Sequence, residues 1–148
     1  MEEQLLDQTS IGAFEPEYAG FWIRFAAAFI DGIILSIPQF AIQFAMADSI
    51  AEGGAGLGLY YIIVLALNWL YFAGMESSSN QATLGKMVVG IKVTNLEGEP
   101  INFMNATGRY FAKLISAIIL LIGYIMAAFT PKKQALHDQL AKTLVVKK

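Results

Sequence analysis

The sequence predicts an all-α integral membrane protein. It would have two transmembrane helices, a third hydrophobic segment and a small cytoplasmic β-hairpin. Three observations carry this expectation. The 148 residues are 56% hydrophobic and only 15% charged, with mean hydropathy +0.54; a soluble domain of this size needs a more polar surface. The apolar residues are bunched into runs long enough to meet lipid. The charges are split along the chain. Residues 1–76 carry nine acidic residues and one basic residue, Arg24, whereas residues 77–148 carry nine basic and three acidic residues. The formal net charge of -2 does not suggest nucleic acid, and none is expected as a partner. The asymmetry suggests membrane sidedness instead.

Residues 1–18 form a polar, acidic leader interrupted by Pro16. They lack the basic start and small-residue cleavage site of a signal peptide, so the first helix is expected to remain as an uncleaved anchor. The membrane domain is expected over 19–148. Its first hydrophobic segment, about 20–46, is long enough to span, and Pro38 should kink it. The link "ADSIAEGGAGLG" has no Lys or Arg. The second segment, about 57–75, is uncharged. Asn68 is its only strongly polar residue, and Tyr60, Tyr61, Trp69 and Tyr71 are candidates for interfacial belts.

The stretch Glu76–Phe103 is polar. "MVVGIKV" is rich in β-branched residues and "NLEGEP" is a turn signal. A hairpin of Met87–Thr94 with Pro100–Phe103 is therefore expected. "NATGRYFAKLIS" should be an interfacial helix, with Arg109 and Lys113 on one face and snorkelling outward. The third hydrophobic segment, about 114–130, is at the short limit for one span. It either crosses fully or breaks near Gly123 and returns; the second course would let the tail strand "TLVV" pair with "MVVGIKV". Basic residues flank the second connection and the tail. The positive-inside rule then places the N-terminus in the cytoplasm of a bacterial inner membrane.

Cysteine is absent and there is one histidine, His137. Disulfides, thiol nucleophiles and a multi-His metal site within one chain are thereby excluded. "ATLGKMVVG" is not a phosphate-binding loop, because position 80 is Asn and Met87 follows Lys86. Without a nucleophile, metal set or cofactor loop, no cofactor and no enzymatic activity are expected.

Two charges in the first segment need an explanation. Arg24 lies near its start and reads as a snorkelling anchor. Asp31 lies roughly 16 Å in from Gly20, near mid-bilayer, where a carboxylate costs about 2.5–3.5 kcal/mol on insertion scales. It reads either as a titrating or ion-binding group or as a structural hydrogen-bonding group. Asn68 is a candidate facing partner. His137 and Asp138 form a candidate proton-handling or gating pair, or else a helix cap and a salt bridge to Arg24 or Lys86.

These residues carry a family likeness. From about Tyr18 to Val146 the chain resembles the RDD family of small bacterial membrane proteins, named for one arginine and two aspartates. Arg24, Asp31 and Asp138 match those three positions. Thr83, Gly85, Lys86, Gly90 and Val93 match a Thr-x-Gly-Lys…Gly…Val segment. Met87 stands where the family often has a basic residue, which reduces the charge there. The resemblance implies transport of ions or other ligands, with sodium–proton antiport attributed to some members. A small homo-oligomeric carrier exchanging a monovalent cation for protons is the first functional expectation. A non-transporting scaffold or accessory subunit, bound to a partner membrane protein or to anionic lipid, is the second. The likeness adds Asp138 to the pair in the first segment, and Arg24 and Asp138 are then expected to meet at the cytoplasmic face, with Asp31 deeper in the bundle.

Overall fold

A computed structural model describes residues 16–118 and 122–148; most of the expected leader lies outside them. The elements are α1 (Phe21–Ala45), α2 (Ala47–Glu52), α3 (Gly54–Glu76), α4 (Leu84–Val89), β1 (Ile91–Asn95), α5 (Phe103–Ile118), α6 (Ile122–Phe129), α7 (Leu136–Ala141) and β2 (Thr143–Lys147).

Among the described residues two helices, α1 and α3, are long and apolar enough to cross a membrane. The helix α1 is continuous through Pro38. It carries two opposed stripes. Ala27, Asp31 and Leu35 are buried. Trp22, Phe25, Phe29, Ile33, Ile37, Phe40 and Phe44 are exposed large apolar residues, spaced three and four apart along the other side. No residue in the apolar window of α3 is buried within the chain. Such surfaces need a nonaqueous neighbour, and lipid supplies one.

The third hydrophobic segment is divided between α5 and α6. Both of its flanks lie at the N-terminal end of α1. On one side Arg109 pairs with Asp138; on the other Arg24 donates to the Lys133 carbonyl.

The expected hairpin is not formed. Met87–Val89 belongs to α4, Phe103 opens α5, and the partner of β1 is the tail strand β2. The pair is antiparallel, with Val93 opposite Val145 and Ile91 opposite Lys147. Burial explains the choice. Val93 and Val145 enter a small core with Ala19, Ala27, Ala73, Ile91, Ile101 and Ala106. Residues 100–103 offer only Ile101 to that core. The other edge of β2 is met by the segment before α1: Ala19 N–H donates to the Val145 carbonyl at 2.8 Å, and Lys147 N–H to the Glu17 carbonyl at 2.8 Å.

Candidate functional site

The segment Thr83–Gly90 docks a short helix against α1, and each of its notable residues has a local reason. Thr83 caps α4 by accepting from the Lys86 N–H, and its hydroxyl donates to Asp31 Oδ2 at 2.6 Å. Gly85 N–H donates to Asp31 Oδ1 at 2.8 Å. A side chain at Gly85 would collide with the Ala27 carbonyl and the Asp31 carboxyl. Gly90 ends the helix at φ 74°, in the left-handed region where glycine carries no penalty. Tyr71 of α3 donates a third hydrogen bond to Asp31 Oδ1, at 2.7 Å. The buried carboxylate of Asp31 is therefore satisfied by three donors from two other elements.

Asn68 is not the partner of Asp31. Its amide donates to the Val64 carbonyl at 2.7 Å and accepts from Gln39 at 3.4 Å. Gln39 is eight residues beyond Asp31, about 12 Å along the helix axis. Tyr71 faces Asp31 instead, so it is not simply a belt residue.

A second set of charges lies at the N-terminal end of α1. Arg24 forms an ion pair with Asp138 and donates from Nε to the Ala19 carbonyl at 2.9 Å. Arg109 reaches Asp138 Oδ1 at 3.0 Å and Glu76 Oε2 at 3.5 Å. Glu76, at the last position of α3, also pairs with Lys86 and, at 3.4 Å, with Lys113. Lys113 Nζ stands 4.6 Å from the centre of the Phe72 ring, a cation–π distance. The expectation that Arg109 and Lys113 snorkel outward is overturned. Arg109 is 1% exposed, because two buried carboxylates on neighbouring elements need its guanidinium.

Asp138 accepts hydrogen bonds from Arg24 and from its own helix's Ala135 N–H at 3.0 Å, and Arg109 forms an ion pair with its Oδ1. Burial alone would raise its pKa, but Arg109 and Arg24 outweigh burial and keep it far below the usual carboxylate range. His137 Nε2 lies 3.6 Å from Asp138 Oδ1. Burial pushes the imidazole well below its ordinary value, so it is neutral near pH 7. Burial also lowers Lys86, to about 7; Glu76 opposes this and the cations Lys113 and Arg109 reinforce it. Glu76, Arg109 and Tyr71 were not singled out as site residues from sequence. The one available signal was the charge of Glu76 directly after the uncharged stretch 53–75.

Beside these groups is a cavity of about 430 Å³ between α1, α3, α5 and α6. Its lining includes the polar residues Arg24, Asp31, Lys86, Arg109 and Lys113 and the apolar residues Phe21, Phe25, Phe72 and Ile125. Among the described residues no cluster of three or more His, Cys, Asp or Glu could hold a metal ion.

Fold and site together define a small membrane protein with two apolar helices and a polar cap fastened to one end of them by an Arg–Asp–Glu–Lys network. The chain belongs to the RDD family, whose family model matches residues 18–142. It is similar to three proteins of Bacillus subtilis (strain 168). The "Uncharacterized protein YxaI" is 40% identical over 88% of this chain and 97% of that protein. The "Uncharacterized membrane protein YteJ" is 34% identical over 87% of this chain and 80% of that protein. The "Uncharacterized protein YckC" is 27% identical over 86% and 83%. No solved structure matches the chain.

Proposed function

We propose that this protein is a non-transporting membrane scaffold or accessory subunit, in which Arg24, Asp31 and Asp138 form a structural network. One observation carries the reading: the carboxylates on the two membrane helices are already engaged. Asp31 accepts from Tyr71, Thr83 and Gly85, and Glu76 is shared by Lys86, Arg109 and Lys113. An ion-exchanging carboxylate has to release its partners in each cycle, and these are fixed by buried backbone and by capping. The network joins α1 and α3 to the cap, and the exposed stripe of α1 then faces lipid or a partner's helix. The positive-inside distribution puts the N-terminus, cap and tail in the cytoplasm. Pairing of β2 with β1 at the Arg24 end supports a common side for all three.

A second reading, a small oligomeric carrier exchanging a monovalent cation for protons, draws support from the cavity that reaches Asp31. The four cations on the cavity wall oppose a cation there.

The test is proteoliposomes holding a proton-sensitive dye, challenged with a sodium pulse. The scaffold reading expects no exchange by wild-type protein, and retained membrane partners for Asp31→Asn if it stays folded. Exchange by the wild type that Asp31→Asn abolishes, at an unchanged melting temperature, would establish the carrier. A cysteine placed at the C-terminus and labelled from one side of intact cells tests the orientation.

A further inference from the structure

The charges around the cavity do not cancel. Four cations, Arg24, Lys86, Arg109 and Lys113, meet three carboxylates, Asp31, Glu76 and Asp138. His137 is neutral and Lys86, with its pKa lowered to about 7, carries only part of its charge near neutrality, so up to one positive charge is in excess within a largely buried cluster. An uncompensated charge in such surroundings either loses its proton or acquires a counter-ion.

The donors point to the second course at one residue. Arg24 is used at all three nitrogens, by Ala19, Asp138 and Lys133. Arg109 forms ion pairs with Glu76 and Asp138 and donates to Thr143, all within the buried network. Lys113 has three N–H donors, and its polar contact is with Glu76, at 3.4 Å. Glu76 is meanwhile shared with two other cations. Lys113 also lines the cavity, with Phe72 and Ala117 near it and Phe21, Phe25 and Ile125 on the apolar side. Phe25 and Ile125 are themselves exposed, so the apolar side is continuous with the surface that meets lipid. One ligand chemistry matches a cationic wall, an apolar wall and a lipid-side opening. It is an anionic oxygen headgroup on an apolar tail.

We propose that the cavity between α1, α5 and α6 binds one anionic amphiphile, a phospholipid with its phosphate on Lys113 and Lys86 and its acyl chain along Phe21, Phe25 and Ile125. The size fits a headgroup and part of a chain rather than a whole lipid. This goes beyond the scaffold reading and does not depend on it, since a carrier could hold the same lipid.

The experiment uses full-length protein in a neutral maltoside detergent, with its melting temperature followed by tryptophan fluorescence. The probes are phosphatidylglycerol and phosphatidylcholine of equal chain length, and inorganic phosphate. Phosphatidylglycerol at a hundredfold excess over its dissociation constant should raise the midpoint by about 5 °C or more. Phosphatidylcholine and inorganic phosphate should each raise it by no more than about 1 °C. Lys113→Gln should erase the difference between the two lipids. Ala28→Phe, which fills the cavity without touching a charge, should erase it too, and Lys133→Gln should keep it. Equal shifts with the two lipids would overturn the proposal, as would a lipid preference that survives Ala28→Phe. An equal shift with inorganic phosphate would overturn the amphiphile in favour of a soluble anion. Wild-type protein alone decides the lipid and phosphate comparisons if a variant fails to fold.

Discussion

Replacing Asp31 in two ways separates a structural carboxylate from a working one. In Asp31→Asn the remaining carbonyl oxygen can stay at the Oδ1 position, where it accepts from Tyr71 and Gly85. The new amide then faces the Thr83 hydroxyl, which can turn to accept. The charge-assisted part of these bonds is lost but no donor is orphaned, and the expected cost is about 1 kcal/mol. In Asp31→Ala the Thr83 hydroxyl and the Gly85 N–H are both left buried, at about 2 kcal/mol each. Half-exposed Tyr71 can turn away. The expected total is about 4 kcal/mol, plus any cavity left by the missing side chain. The assay is chemical or thermal unfolding of the purified protein in detergent, with wild type and both variants compared. Equal losses for the two variants, or no loss for Asp31→Ala, would refute the view of Asp31 as an anchor for α4.

The same interface can be tested from its other side. Gly85→Ala should destabilise by about 2 kcal/mol or more through overpacking against Ala27 and Asp31. Gly74→Ala, in α3 with nothing near its added methyl, should be neutral or stabilising by up to about 1 kcal/mol; unfolding midpoints measured side by side decide this. Arg109→Met removes the one cation that Glu76 and Asp138 share, and should cost about 3–5 kcal/mol. Arg24→Lys keeps the charge but loses the fork that holds Ala19, Lys133 and Asp138 at once, so its cost should be smaller, about 1–2 kcal/mol; their order in a denaturant titration is the check. Lys86 supplies a pH dependence. Its folded pKa, about 7, lies below its unfolded value of 10.5, so between those values the unfolded chain binds more protons and stability rises with pH. Melting temperature should therefore climb from pH 7 to pH 9, and Lys86→Met should flatten the climb. Asp138 works in the opposite part of the scale. Its folded pKa is depressed, so its contribution is complete above the ordinary Asp value and is lost as pH falls below it.

Much of the fold was legible because lipid imposes a simple rule. The runs about 20–46 and 57–75 had to be helices that satisfy their own backbone, and α1 and α3 fall within one to three residues of those bounds. Arg24 and Asp138 also meet as expected, although 114 residues separate them. The missed features are tertiary. "MVVGIKV" is β-branched along its length, yet Met87–Val89 is helical because Thr83 and Gly90 cap it and Asp31 holds its first turn. The turn signal in "NLEGEP" was real: Asn95 accepts from the Glu97 and Glu99 N–H groups. It reverses the chain without making a hairpin, because the partner of β1 is chosen by the core.

Composition and hydropathy thus determined the membrane class, the two long helices and the unequal distribution of charge. Those properties follow from transfer between water and lipid, which each segment undergoes largely on its own. The tertiary structure decided the partners. That Asp31 holds a helix cap, that Glu76 gathers three cations, and that Arg109 points inward depend on packing together of elements that are distant in sequence, Asp31 and Gly85 by 54 residues. A buried charge requires a neighbour, but only the packed chain selects which one.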